Sequence, residues 1–323
     1  PNTTGGPIVV NTSYGQATSA TSLVIVPNAV GVANVVDHDP ADPDGAAQAL
    51  AINQQNKVAL LSFQAATSSY YSVQLDALTL TPSGGSINYT VYGPTGASFA
   101  SGSVSTTAPS IHLPQTTSAG RYLVAFNSGS KTSVAITARV ELNTVVTANG
   151  TTVPSSSLGP RQSKRFIFNA TNGDDLAFAL TNLVITPSSP NYVSVNVLQP
   201  TNYYYWPSWE NCYLTSTPGC SFNLMNLWGT GTYQLFVGSN GASTMSFGLT
   251  LSTDIAGTLT AGASPTTLDL EAPGRQALLT FTATAGDNRT LRFNSPSTTP
   301  AGTGLSYILY QPGNGGPIAS NPN

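Results

Sequence analysis

The densest chemistry in this sequence is a run of carboxylates, Asp37-His-Asp39-Pro-Ala-Asp42-Pro-Asp44-Gly45, which gathers four of the thirteen acidic residues into eight positions. Mutual repulsion makes such a cluster costly without a cation. Closely spaced carboxylates followed by glycine suit Ca²⁺, which takes about six to eight oxygen ligands. Asp37, Asp39, Asp42 and Asp44 are therefore candidate calcium ligands, although nothing in the sequence requires a cofactor. Their spacing is not that of an EF-hand loop, and Asp-Pro turns in a solvated linker are the alternative.

A second constellation is Tyr203-Tyr204-Tyr205-Trp206-Pro-Ser-Trp209, five aromatics in seven residues. They cannot all face one core. Exposed Tyr and Trp stack on sugar rings or anchor a subunit contact, so these five are candidate partner or glycan contacts, with packing over a sheet edge as the plain alternative. Nearby, Cys212 and Cys220 enclose a Pro218-Gly219 turn signal that would bring the two sulfurs together. A local disulfide is expected, two buried thiols being the alternative.

Catalysis needs a positioned nucleophile, base or metal. The chain has two histidines; His112 lies on an alternating strand and reads as structural. No Gly-x-Ser-x-Gly, His-Glu-x-x-His or phosphate-cradling loop occurs, and no enzyme is expected.

These residues sit in an unusual background. Only 7% of the 323 residues are charged and the net charge is −3, against roughly 25% charged in ordinary soluble domains. Solubility must rest on hydroxyls and amides, and the long-range field is weak. Nucleic acid is not an expected partner: the one tight basic group, Arg161, Lys164 and Arg165, reads as a solvated strand face. There is no run of eighteen apolar residues to span a membrane. Pro1 in place of Met fits a processed chain or a window cut from a longer one.

The elements that must position all this are strands. Short alternating runs such as Tyr71-Ser-Val-Gln-Leu75 and Phe247-Gly-Leu-Thr-Leu251 recur between Pro, Gly, Asn and Ser clusters. The expected fold class is all-β, in tandem antiparallel β-sandwich (jelly-roll/Ig-like) domains with almost no helix.

Self-comparison shows one pattern three times. Its anchors are Leu61-Ser-Phe63-Gln-Ala65, Phe166-Ile-Phe168-Asn-Ala170 and Leu279-Thr-Phe281-Thr-Ala283. Apolar pairs follow at Val73/Leu75, Phe178/Leu180 and Leu291/Phe293, then Pro-led turns at Pro94, Pro200 and Pro312. Repeats 1 and 2 continue through Gly120-Arg-Tyr122 and Gly231-Thr-Tyr233; repeat 3 has no such half. The expected domains are 1–36, the C-terminal half of a sandwich; 37–143, repeat 1; 144–254, repeat 2; and 255–323, the N-terminal half of repeat 3, completed by residues 1–36 of the next subunit or of a longer polypeptide. Trimmed flanking domains would leave the same two halves.

The stretches Cys220–Tyr233, Phe247–Leu259 and Pro273–Phe281 resemble a tandem repeat of large secreted bacterial surface proteins, the RHS-repeat-associated arrays. In outline they are similar to the bacterial pre-peptidase C-terminal domain. The resemblance spans about residues 57–323 and rests on strand and turn patterns. It implies an extracellular, secreted or cell-surface spacer or adhesion module with no catalytic residues to transfer. Together these readings lead to a non-catalytic structural protein whose partner is itself, stacked head to tail as a filament by strand complementation. The alternative is an adhesin or carbohydrate-binding module that uses the aromatic insertion on surface glycans.

Overall fold

The computed structural model describes residues 5–154, 157–187, 192–200, 211–213, 220–239, 241, 243–298, 305–311 and 317–321. It divides into two compact units, one of residues 1–254 with 270–276 and the other of 255–269 with 277–323. Among the described residues the only helix is a single 3-10 turn, Val32–Asn34, so the all-β expectation holds.

In the first unit a hairpin, β1 (Gly5–Thr12) and β2 (Gly15–Val24), precedes repeat 1. Repeat 1 comprises β3 (Val35–Ala41), β4 (Gln48–Ile52), β5 (Val58–Ala65), β6 (Tyr71–Thr81), β7 (Ser86–Tyr92), β8 (Ser98–Ser105), β9 (Ser110–His112), β10 (Gly120–Asn127) and β11 (Ser133–Leu142). Repeat 2 comprises β12 (Thr144–Val145), β13 (Val153–Pro154), β14 (Ser163–Ala170), β15 (Leu176–Thr186), β16 (Tyr192–Leu198), β17 (Asn211–Tyr213), β18 (Cys220–Leu224), β19 (Gly231–Ser239) and β20 (Thr244–Thr253). Repeat 1 forms sheet A, ordered β3-β5-β10-β7-β8, and sheet B, ordered β4-β11-β6-β9. Repeat 2 reproduces both orders strand for strand, as sheet C (β12-β14-β19-β16-β17) and sheet D (β13-β20-β15-β18).

The fold-class expectation is corrected. The chain is not a run of antiparallel β-sandwiches of jelly-roll or Ig type. It winds back and forth between paired sheets, and the first strand of each repeat enters parallel: β3 on β5 and β12 on β14. The second unit holds two-stranded pieces only among its described residues. These are β21 (Ile255–Thr258) with β22 (Ala277–Thr280), again parallel, and β23 (Tyr307–Tyr310) with β24 (Pro317–Asn321). Period-two alternation reports which face a side chain takes; it is silent on strand direction and partner.

The repeated motif has a packing cause. Phe63 lies opposite Tyr122 on β10 and Phe168 opposite Tyr233 on β19, with ring centroids 5.8 and 5.2 Å apart, stacked. All four side chains are 0 or 1% exposed. Each Tyr hydroxyl donates back to its own chain, Tyr122 to the Ser118 carbonyl at 3.1 Å and Tyr233 to the Trp228 and Gly229 carbonyls at 2.8 Å. The Gly two residues before each Tyr is there for space. A Cβ on Gly120 would come 2.7 Å from the Pro94 ring, and one on Gly231 3.1 Å from that of Pro200. Anchor Phe, Gly-x-Tyr and turn Pro are thus one cluster, built twice.

Candidate functional site

Repeats 1 and 2 meet through strand faces that point away from their apolar cores. On sheet B, Val73 and Leu75 face the core of repeat 1, so Ser72 and Gln74 face out; Ser110 and His112 on β9 and Arg139 and Glu141 on β11 do the same. On sheet C, Ser163 and Arg165 of β14 and Gln234 and Phe236 of β19 oppose them. Polar faces that would ordinarily be wet are sealed here: Ser72, Gln74 and Gln162 are 0% exposed, Arg165 2%, Glu141 3% and Lys164 7%. This corrects the reading of Lys164 and Arg165 as a solvated face; Arg161 is exposed.

Burying charge is costly unless it is paired and hydrogen-bonded, and the joint meets that demand. Glu141 accepts from Lys164 Nζ and from Arg139 Nε, each at 3.0 Å. Arg139 also pairs with Asp76, and Asp76 accepts from the Gln162 amide at 2.9 Å. Arg165 donates to Asn143 Oδ1 (2.7 Å), the Tyr71 carbonyl (2.8 Å) and Gln234 Oε1 (3.1 Å), and lies over the Tyr70 ring. Burial lowers the Arg165 pKa to about 10, which leaves it charged at neutral pH.

His112 is the hinge-pin of this network. Its Nδ1 is 2.7 Å from Ser72 Oγ in repeat 1 and its Nε2 2.8 Å from Ser163 Oγ in repeat 2. Its ring meets Phe236 edge-on at 5.0 Å. Burial, and secondarily the charge of Arg165, lower its pKa to about 3. The Ser163–His112 distance is that of a nucleophile and its base, but an imidazole that binds a proton only near pH 3 is a poor acceptor for a serine proton at neutral pH. Beside this pair opens a cavity of about 430 Å³, lined by His112, Ser163, Ser194, Asn196, Phe236 and Gly238.

The residues singled out by type and spacing lie elsewhere. Asp37 and Asp39 are half-buried on β3, while Asp42 and Asp44 are exposed. Asp37 accepts from the backbone amides of His38 (2.9 Å) and Ala51 (2.7 Å), and Asp44 from that of Leu142 (3.1 Å). The turn closes with the Gly45 amide donating to the Asp42 carbonyl at 2.9 Å, and a Cβ on Gly45 would sit 2.9 Å from that oxygen, which accounts for the glycine sterically. Among the described residues no three of His, Cys, Asp and Glu are grouped so as to hold a metal. Tyr203, Tyr204, Tyr205, Trp206 and Trp209 lie outside the described residues. Cys220 is disulfide-bonded; the side chain of Cys212, its expected partner, lies outside the described residues. The sequence placed His112 as a strand residue and left its partners Ser72 and Ser163 unmarked. The one signal pointing to them was a tight basic trio in a chain almost without charge.

Fold and site together define an all-β protein built of a duplicated two-sheet repeat with a sealed polar joint. No family model and no curated protein matches the chain. Solved structures that it resembles include a Xylanase10C mutant from Cellvibrio japonicus in complex with xylopentaose (11% identity, 36% of this chain and 32% of that one, TM-score 0.23). They also include the CUB1-EGF-CUB2 domains of rat MASP-1 (8%, 65% and 99%, 0.20) and the CBM22-1-CBM22-2 tandem of Paenibacillus barcinonensis Xyn10C (7%, 59% and 82%, 0.18). The chain spans about a third of the length of the xylanase structure. Carbohydrate-binding modules are thus among the neighbours, at a likeness too slight to carry an assignment. Among the described residues no helix is long and apolar enough to cross a membrane.

Proposed function

We propose that this chain is a non-catalytic, extracellular structural protein that associates with further copies of itself through repeat 3. The observation that carries this reading is a contrast in burial at equivalent positions. Phe63 and Phe168 are 1 and 0% exposed, whereas Phe281 is 41% exposed, and Leu291 and Phe293, equivalents of buried core residues, are 52 and 46% exposed. A face so apolar is unfavourable in water, and a second copy of the chain is the cover proposed for it here. The hydrogen-bonded joint between repeats 1 and 2 suits a structural role, since a satisfied polar network fixes one relative placement of the sheets.

Analytical ultracentrifugation of the whole chain over a wide concentration range tests the reading. Concentration-dependent association, lost in Phe281→Asp with Leu291→Asp, is the expected result. A monomer at every concentration would sink it.

A second reading is a carbohydrate-binding or adhesive module, and the cavity beside His112 favours it. Its volume falls in the range of small-ligand sites, roughly 300–1,000 Å³, and uncharged hydroxyl and amide groups beside an aromatic ring suit a neutral sugar. Calorimetric titration with cellohexaose and maltohexaose, repeated on Asn196→Ala with Phe236→Ala, checks it: unchanged binding in that variant removes the cavity from consideration.

A further inference from the structure

The connections at one end of repeat 2 follow the backbone plan of those in repeat 1. In repeat 1 the Ser68 amide donates to the Thr116 carbonyl at 2.8 Å, the Thr116 amide to that of Ser69 at 2.9 Å and the Asn143 amide to that of Tyr70 at 2.9 Å. In repeat 2 the matching bonds run from Gly173 to Leu227 (2.8 Å), from Leu227 to Asp174 (3.0 Å) and from Asp254 to Asp175 (3.1 Å). The hydroxyl of Tyr122 reaches the Ser118 carbonyl and that of Tyr233 the Gly229 carbonyl, each four residues back. Thr116 and Leu227 are both sealed, at 2 and 0% exposed, and the next residue of each connection turns out to solvent. In repeat 1 that residue is Thr117; in repeat 2 it is Trp228, 70% exposed. A frame that closes with threonine does not need an indole, and a ring so exposed adds little to packing.

The polar groups beside this position change with it. In repeat 1 they bond within the connections: the Gln115 amide donates to the Ser68 carbonyl at 3.1 Å and the Thr67 hydroxyl to the Thr117 carbonyl at 3.3 Å, while Ala119 offers no polar side chain. At the equivalent positions repeat 2 has Asn226, Asn172 and Thr230, all exposed. Asn172 Oδ1 accepts from the Gly229 amide at 3.0 Å, and the Asn172 backbone amide donates to Thr230 Oγ1 at 3.1 Å. These bonds orient both side chains and leave Asn172 Nδ2 and the Thr230 hydroxyl proton free to donate. Among the described residues the Asn226 side-chain amide has no hydrogen-bond partner either. The two carboxylates of this end are turned to the backbone, Asp174 to the Thr171 amide and Asp175 to the Asn226 amide, each at 2.7 Å.

We propose that Trp228, Asn172, Asn226 and Thr230 form a binding surface for a neutral sugar ring. A pyranose carries C–H groups on its faces, which stack on an indole, and hydroxyls on its rim, which pair with amides and hydroxyls. A protein partner would want an apolar centre, whereas here the ring is flanked by polar side chains. The charges of Asp174 and Asp175 disfavour an anionic sugar. Backbone bonds at Leu227 and Gly229 hold Trp228 on both sides, so little ordering is left to be done on binding. The surface shares its ligand class with the cavity beside His112 but none of its residues, and it does not rest on self-association.

The test is calorimetric titration of the full chain with cellohexaose, maltohexaose and chitohexaose. Trp228→Thr puts at this position the residue that repeat 1 carries, so its melting temperature is expected to match the parent's. At least one of the three sugars should bind the parent. Trp228→Thr should weaken that binding about tenfold or more. Asn172→Asp keeps the acceptor for the Gly229 amide and removes the Nδ2 donor, and should weaken it about fivefold. The cavity variant Asn196→Ala with Phe236→Ala should bind as the parent does. The proposal is overturned if the parent binds none of the three, if Trp228→Thr binds as well as the parent, or if only the cavity variant loses binding. Sedimentation of Trp228→Thr supplies the last arm: lost self-association with sugar binding intact would make the ring a contact between copies and overturn the proposal too.

Discussion

The same anchor motif occurs in three repeats and meets two fates. In repeats 1 and 2 the Phe of the anchor stacks on a Tyr from the strand beside it and is sealed from water; in repeat 3 the equivalent Phe281 is 41% exposed. The local sequences are alike, so the difference lies in the neighbouring strand. An anchor strand supplies one wall of a core, and burial is completed only when the strand carrying Gly-x-Tyr closes the sheet.

The largest expected effect is at the anchors themselves. Phe63→Ala or Phe168→Ala should cost about 3–5 kcal/mol in denaturant unfolding, as for a large ring removed from a filled core. Phe281→Ala in dilute, unassociated chain should cost under about 1 kcal/mol. Equal costs at all three positions would break the comparison.

The joint between the two completed repeats comes next. Glu141→Ala leaves Lys164 buried and Arg139 with one carboxylate fewer, and should destabilise by about 3–5 kcal/mol. Replacing both Glu141 and Lys164 by Met should recover much of that loss, because apolar pairs of similar size replace buried ion pairs well. Failure of the double variant to recover would point to a network in which Arg139 and Asp76 depend on Glu141 as well.

The same joint is readable as pH dependence. The unfolded chain binds a proton at His112 below about 6.5, which the folded chain refuses until about 3. Stability contributed by the neutral imidazole is therefore complete above about pH 6.5 and is lost as pH falls through that window, by up to about 1.4 kcal/mol per unit. Unfolding midpoints of His112→Asn measured across the same range should show a shallower acid slope than the parent; parallel slopes would remove His112 from the account.

The smallest expected effects are at the corners. Tyr233→Phe forfeits a hydroxyl that reaches two carbonyls and should cost about 1 kcal/mol, and Tyr122→Phe, with one such bond, the same or less. A thermal melt in millimolar CaCl₂ should match one in EDTA within experimental scatter if Asp37 and Asp44 act as acceptors for backbone amides, whereas a clear upward shift would restore the calcium reading of that run.

Much of the fold was legible because it rests on local rules. Alternation marked the strands, Gly and Pro marked the turns, and the threefold Phe-x-Ala motif marked the repeats, since each reflects a constraint the chain carries along its own length. The absence of an EF-hand spacing and of hydrolase motifs was equally plain. Less was legible at the site. Ser72, Gln74, Glu141 and Arg165 look like solvent-facing residues, and alternation does place them on the outer faces of their sheets. That a second sheet covers those faces, that β3 and β12 enter parallel, and that His112 bridges a serine from each repeat were decided by long-range packing. A strand's sequence determines which side chains share a face; only the tertiary structure determines what that face meets, because burial belongs to the partner as much as to the strand.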